Sequence, residues 1–148
     1  MTVRIQAASF DLGAEVQGFA AKQTEAGAVV NFTGIVRNTA AGDLDRMEIE
    51  HYPGMTEIAL AGIDAKATQR WSLKDSLIIH RFGTLRPGDM IMMVATASPH
   101  RVDAFEAAQY LMDYLKSRAP FWKKEFTTDG AEWVEAKPID EKALTRWQ

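Results

Sequence analysis

Three features of the chain predict an α+β fold with a largely antiparallel sheet and about three helices. Strand-like and helix-like segments follow one another in the order β-α-β-β-α-β-β-α-β-β. Apolar runs flank short polar turns at "RPGD" (86–89) and "TDG" (128–130), as the arms of antiparallel pairs do. One long segment, 98–118, has helical spacing of apolar residues between a Ser-Pro start and a proline stop.

Each element has its own local reason. "VRIQA" (3–7) alternates apolar and polar residues like a half-buried strand. The helix after it takes Asp11 as N-cap, places Leu12, Val16, Phe19 and Ala20 on one face, and stops at Gly27. "AVVNFTGIVR" (28–37) is β-branched and apolar, and Gly34 within it signals a bulge or a close backbone approach. "RMEIEHY" (46–52) alternates clearly. In 54–71 the residues Met55, Ile58, Ile63 and Ala67 stand at helical spacing. "SLIIHRFG" (76–83) and "MIMMVATA" (90–97) pair around 86–89. In the long helix Ser98 is the expected N-cap, Pro99 the first helical residue, and Phe105, Ala108, Met112 and Leu115 the buried stripe. Pro120 ends it, and "FWKKEFT" and "AEWVEA" form a hairpin around 128–130. A single domain over 1–148 is expected, with 137–148 as a polar tail.

Composition narrows the chemistry. The chain has no cysteine, which excludes disulfides, thiolate metal sites and a cysteine nucleophile, and fits a reducing compartment. No segment has signal-peptide or membrane-spanning character, so the expected location is cytoplasmic. His51, His80 and His100 are dispersed without metal-ligand spacing, and no metal is expected. A net charge of −3 argues against a general nucleic-acid binder.

Against that acidic background, "LKSRAPFWKKE" (115–125) gathers Lys116, Arg118, Lys123 and Lys124 around a proline and two aromatics. Lys123 and Lys124 alternate on a strand, so one faces inward and needs a partner or a cleft. Lys116 closes a helix, where a cation is favourable for purely structural reasons. Arg37, at a strand end, either pairs with Glu48 or Glu50 across the hairpin or binds an anion. His100 and Arg101 sit in the first turn of the long helix, a poor place for cations that lack an anionic partner. Together these residues point to an anion-binding pocket containing lysines, without specifying a reaction.

The blocks "GAVVNFTGIVRN", "EIEHYPGMTE", "IIHRFGTLRPGD", "SPHRVDAFEAAQYLMDYLKSRAPFWKKE" and "WVEAK" resemble, in order and spacing, the catalytic large subunit of molybdopterin synthase, from about residue 27 to 137. The resemblance implies an α/β hammerhead-type fold and a sulfurtransferase. Its reaction installs the dithiolene sulfurs of molybdopterin on cyclic pyranopterin monophosphate (precursor Z), a step in molybdenum cofactor biosynthesis. The sulfur donor is the thiocarboxylated C-terminus of a small ubiquitin-like sulfur-carrier subunit. The assembly is a homodimer within a heterotetramer, and no cofactor is implied on this chain. Carried over by position, Lys116 and Lys123 are the catalytic lysines, with Lys116 leading. Arg37, His100 and Arg101 join them in holding the phosphate, the last two in their own or the neighbouring subunit's pocket. Phe32, Met112, Glu125 and Lys137 are further pocket candidates, and Lys124 and Lys137 stand where the family has Lys or Arg. Two other classes compete on composition alone. One is a non-catalytic module binding an anion or peptide tail; the other is an RNA binder using "KSRAPFWKK".

Overall fold

The computed structural model describes residues 1–148. Two four-stranded sheets carry the fold. In the first, β1 (Thr2–Gln6), β4 (Asp75–Arg81), β6 (Met90–Ser98) and β2 (Ala28–Ile35) lie side by side in that order. In the second the order is β5 (Gly83–Leu85), β3 (Arg46–His51), β7 (Phe121–Thr127) and β8 (Gly130–Trp133). Every pairing is antiparallel except that of β1 with β4.

The near-continuous apolar sequences of β4 and β6 follow from cover on both faces. Ile78, Met92 and Val94 turn to the side occupied by α2 (Met55–Trp71) and α3 (Arg101–Arg118). Leu77, Ile79, Met93 and Ala95 turn to the other side, where Phe19 of α1 (Leu12–Ala21) packs. The expected Asp11 cap holds: the Ala14 N–H donates to its carboxylate at 3.0 Å. The expected irregularity at Gly34 is a register shift between Gly34 and Ile35.

Several expectations are corrected. On α2 the buried line is Thr56, Leu60, Ile63, Ala67 and Trp71, while Met55 and Ile58 are 54% and 69% exposed. Apolarity misled there because the buried line carries polar residues that have partners. Thr56 Oγ1, for example, donates to the Tyr52 carbonyl at 2.8 Å. On α3 the buried residues include Ala104, Ala107, Ala108, Leu111 and Leu115, whereas Phe105 is 60% exposed. Small side chains let the helix lie close to the sheet, and Phe105 points away. Its start is also two residues later than expected. Ser98 remains in β6 paired with Ala28, and His100, in an extended conformation, is the N-cap. Gly27 is not a helix stop, since α1 has ended by Lys22. It marks a close approach: a Cβ there would lie 2.6 Å from the Pro99 carbonyl oxygen.

The expected polar tail is a docked element. It comprises α4 (Pro138–Ala143) and a 3-10 turn (Leu144–Trp147), with Leu144 buried. The Trp147 Nε1–H donates to Asp113 at 2.7 Å, and its ring meets Trp71 and Tyr110 edge-on at 5.4 and 5.5 Å.

Asp64 of α2 is fully buried; its Oδ2 accepts from Ser76 Oγ at 2.9 Å and its Oδ1 has no partner. Burial, above all, holds its carboxyl above the usual range. A raised acid pKa makes the folded state relatively most favourable at low pH and penalises it as pH rises through the folded value. Asp64→Asn keeps an acceptor for Ser76 and offers an N–H one helical turn from Thr68 Oγ1, itself unpartnered. The expected result is a melting temperature raised at pH 8, by about 3 °C per kcal/mol relieved, and little changed near pH 4. Thermal melts at the two pH values check this; an equal effect at both would contradict it.

Candidate active site

Strand β7 alternates, and the alternation sorts its cations. Phe121, Lys123 and Glu125 share a face with their register partners His51, Ile49 and Met47, the last two buried. Trp122, Lys124 and Phe126 take the opposite face, with Glu50, Glu48 and Arg46. Lys123 is therefore the inward lysine. Lys124 lies over the rings of Trp133 and Phe126, with Nζ 5.2 and 5.5 Å from their centroids. Arg118 forks onto Glu141 at 2.9 and 2.6 Å. Two of the four cations in "LKSRAPFWKKE" are thus occupied, and Lys116 and Lys123 remain free.

Burial, first, and the Lys116 charge, second, push the Lys123 ammonium down to about 8; Asp140 opposes this and Lys137 adds to it. Three segments converge here: the last turn of α3, the inner face of β7, and the start of α4. The path from Lys116 to Lys123 is short because Pro120 breaks the chain direction. Ala119 before it is extended, as a residue preceding proline tends to be.

Beside Lys123 lies an aromatic stack that joins the two sheets. His80 of β4, 5% exposed, stacks on Phe121 at 3.7 Å with 12° between planes. His51 of β3 lies 6.2 Å from Phe121 and 4.5 Å from Phe82. The His80 Nδ1 is 2.7 Å from the Arg81 carbonyl, which can only accept, so Nδ1 carries the hydrogen. Burial chiefly holds His80 neutral, with a pKa of about 3. The Arg81 bond opposes that shift, and the Lys123, His51 and Lys116 charges reinforce it. The sequence pattern missed His80 as part of this site, dismissing it for lacking ligand spacing. The usable signal was a histidine inside the apolar run "SLIIHRFG".

The other candidates divide between two ends of the molecule. Arg37 follows β2, whose end pairs with the start of β6, and it is exposed and unpaired. The alternative pairing with Glu48 is not made; Glu48 takes Arg46 Nε at 3.1 Å. His100 and Arg101 follow the far end of β6 and are exposed. A nine-residue strand spans about 30 Å, so one chain cannot bring Arg37 and Arg101 to one phosphate. Helix α3 returns along β6 and β2, carrying Lys116 back to the Arg37 end. Met112 lies one turn before Lys116 and is half-buried; Phe32 on β2 is 44% exposed. Lys137 is the N-cap residue of α4. Glu125 shares the face of Lys123 yet lines a separate surface cavity with Thr39, Glu132 and Trp133. No group of three or more His, Asp or Glu side chains is placed to hold a metal ion.

The arrangement offers a partly neutral lysine amine beside a second cation, a setting for acid/base or nucleophilic work on anionic reactants. Comparison with known proteins gives the family of the chain. Residues 5–118 match the family described as MoaE protein. A molybdopterin synthase catalytic subunit of Cereibacter sphaeroides is 61% identical over 147 residues, 99% of this chain and 100% of that one. A molybdopterin biosynthesis MoaE protein of Burkholderia ambifaria superposes with a TM-score of 0.83 at 51% identity, covering 99% and 98% of the two chains. A molybdopterin synthase structure from Staphylococcus aureus gives a TM-score of 0.81 at 33% identity, covering 89% and 96%. The antiparallel two-sheet α+β architecture is thus that of a member of the MoaE family, to which this chain belongs.

Proposed function

We propose that this chain is the catalytic subunit of a molybdopterin synthase, working as a sulfurtransferase on cyclic pyranopterin monophosphate. The observation that carries the reading is Lys123: an inward, partly desolvated lysine on which the strongest-acting charge is another lysine, in a chain of this family. Substrate phosphate and thiocarboxylate tail are both anionic, and the acidic chain as a whole repels them. A local concentration of cations reverses that repulsion. The sulfur donor is a small ubiquitin-like subunit, the assembly a homodimer at the centre of a heterotetramer, and the location cytoplasmic.

The two lysines divide the work. The thiocarboxylate sulfur attacks a side-chain carbon of the pterin, whose C–O bond breaks with the oxygen keeping the electron pair. Water then hydrolyses the resulting thioester, so the acyl C–S bond breaks, the donor tail leaves as a carboxylate and the sulfur stays on the pterin as a thiolate. With a pKa of about 8, roughly a tenth of the Lys123 side chains are neutral at pH 7. Lys123 therefore supplies the acid/base group, and exposed Lys116 supplies positive charge to the donor carbonyl. This moves the leading part, which the sequence reading gives to Lys116, onto its neighbour. Arg37 holds the phosphate from the same end of the molecule. His100 and Arg101 are some 30 Å away along β6, so they serve the pocket of the other copy. The competing tail-binding module lacks a reason to bury Lys123 at all.

The direct test mixes the chain with a thiocarboxylated small subunit and precursor Z and assays the dithiolene product; no product under conditions that support a known synthase would refute the reading. Lys123→Ala is expected to lower the rate by about 10²–10⁴-fold. Lys116→Ala lowers it too and shifts the remaining pH–rate curve upward, because removing a like charge raises the Lys123 pKa.

A depressed lysine pKa contributes stability above the unfolded value of 10.5 that is lost as pH falls through about 8. Lys123→Met is accordingly expected to raise the melting temperature at pH 7 and to leave it nearly unchanged near pH 10.5, while abolishing turnover. Paired melts and assays read both effects.

Mixing inactive Lys123→Ala chains with inactive Arg101→Ala chains tests the shared pocket. A dimer of one of each has one intact site if Arg101 serves its neighbour, and random mixing then restores about a quarter of the activity. No restoration after verified subunit exchange would place Arg101 in its own chain's pocket.

A further inference from the structure

We propose that His80 is a positioning residue for Lys123: its imidazole, fixed to β4 and stacked on Phe121, sets where β7 begins and so where the Lys123 amine lies. The proposal rests on the reading of Lys123 as the acid/base group. Its foundation is geometric.

Phe121 is the first residue of β7, immediately after the Pro120 break, and Lys123 is the next residue on the same face. Whatever fixes the Phe121 ring fixes the direction in which the strand leaves the turn. Two imidazoles flank that ring, and both are themselves pinned. His80 donates Nδ1–H to the Arg81 carbonyl at 2.7 Å. His51 Nδ1 lies 3.1 Å from Thr56 Oγ1, whose hydrogen is already given to the Tyr52 carbonyl at 2.8 Å. The hydrogen between them therefore belongs to His51, and Thr56 Oγ1 accepts it alongside the Tyr52 N–H at 3.0 Å. Each ring then has one settled tautomer and one orientation.

The choice of histidine at position 80 has a chemical reason. A flat ring is required for the 3.7 Å stack, and a hydrogen-bond donor is required by the Arg81 carbonyl. A permanent charge is not tolerable, because Lys123 of β7, Lys116 of α3 and His51 of β3 all act on this ring. Around Lys123 the facing charges are Lys116, Lys137 and Asp140. Loss of the stack frees the start of β7 and admits water to Lys123, which returns that amine toward ordinary lysine behaviour.

The test reads Lys123 without the reaction. Trace acetylation of the full chain across pH 6–11, quantified at Lys123 by mass spectrometry, gives the titration midpoint of its amine. The parent chain should show a midpoint near 8. His80→Ala should move it upward by about one pH unit and lower kcat for molybdopterin formation by about 10–100-fold with little change in KM. His80→Phe keeps the stack but gives up the bond to the Arg81 carbonyl, and should return the midpoint most of the way to the parent value and restore part of the turnover. Should His80→Ala not fold, Phe121→Leu removes the same stack from the β7 side and should shift the midpoint likewise. Equal midpoints in the parent and in folded His80→Ala or Phe121→Leu would overturn the proposal. A shifted midpoint with undiminished turnover would support the positioning and refute the catalytic role of Lys123.

Discussion

Burying one ammonium among others is the constraint on which this site turns. Lys123 gives up solvent next to Lys116 and Lys137, with Asp140 as the only opposing charge that acts appreciably on it. Nothing in stability alone recommends this, since an apolar side chain at the same place would be easier to hold. What it supplies is an amine that exchanges its proton near neutral pH. The rest of the local structure answers that demand. Pro120 turns the chain sharply, β3 holds β7 in register, and the His80 ring stacked on Phe121, with the tilted His51 ring on the neighbouring strand, fixes the strand's first residue from both sheets.

The surrounding cations are sorted by the same geometry. Arg118 is bound to Glu141, and Lys124 rests over Trp133 and Phe126, so neither adds to the charge at Lys123. The C-terminal segment contributes in two ways: its Trp147 ring packs against Trp71 of α2 and Tyr110 of α3, and its start brings Lys137 and Asp140 to the site. At the scale of the whole chain, β6 separates Arg37 from His100 and Arg101. A second copy is then the economical way to unite them, which gives the proposed dimer a chemical purpose.

Much of the architecture was legible because it is written in local chemistry. The Asp11 cap, the Gly34 irregularity, the 128–130 hairpin and the strand β6 all stand where residue type alone puts them. Failures came where tertiary partners override local preference. Thr56 occupies α2's buried line because the β3–α2 turn satisfies its hydroxyl, and Asp64 does so with one oxygen bonded to Ser76 and the other unpartnered, so apolar spacing chose Met55 and Ile58 instead. Phe105 was expected inside on its helical spacing, but alanines were needed for close helix–sheet contact. The site was half legible. Charge clustering drew attention to Lys116 and Lys123, and alternation said that one of Lys123 and Lys124 must turn inward. Which one depended on β3–β7 register, and the role of His80 on a stack between residues 41 positions apart, neither of which a linear pattern encodes.

The most direct measurement is the pH dependence of single-turnover molybdopterin formation with saturating thiocarboxylated small subunit and precursor Z. If Lys123 acts as a neutral amine, the rate rises with pH through a midpoint near 8 and levels off above it. A rate that is flat from pH 6.5 to 9.5, or that rises only where an ordinary lysine titrates, would contradict the account.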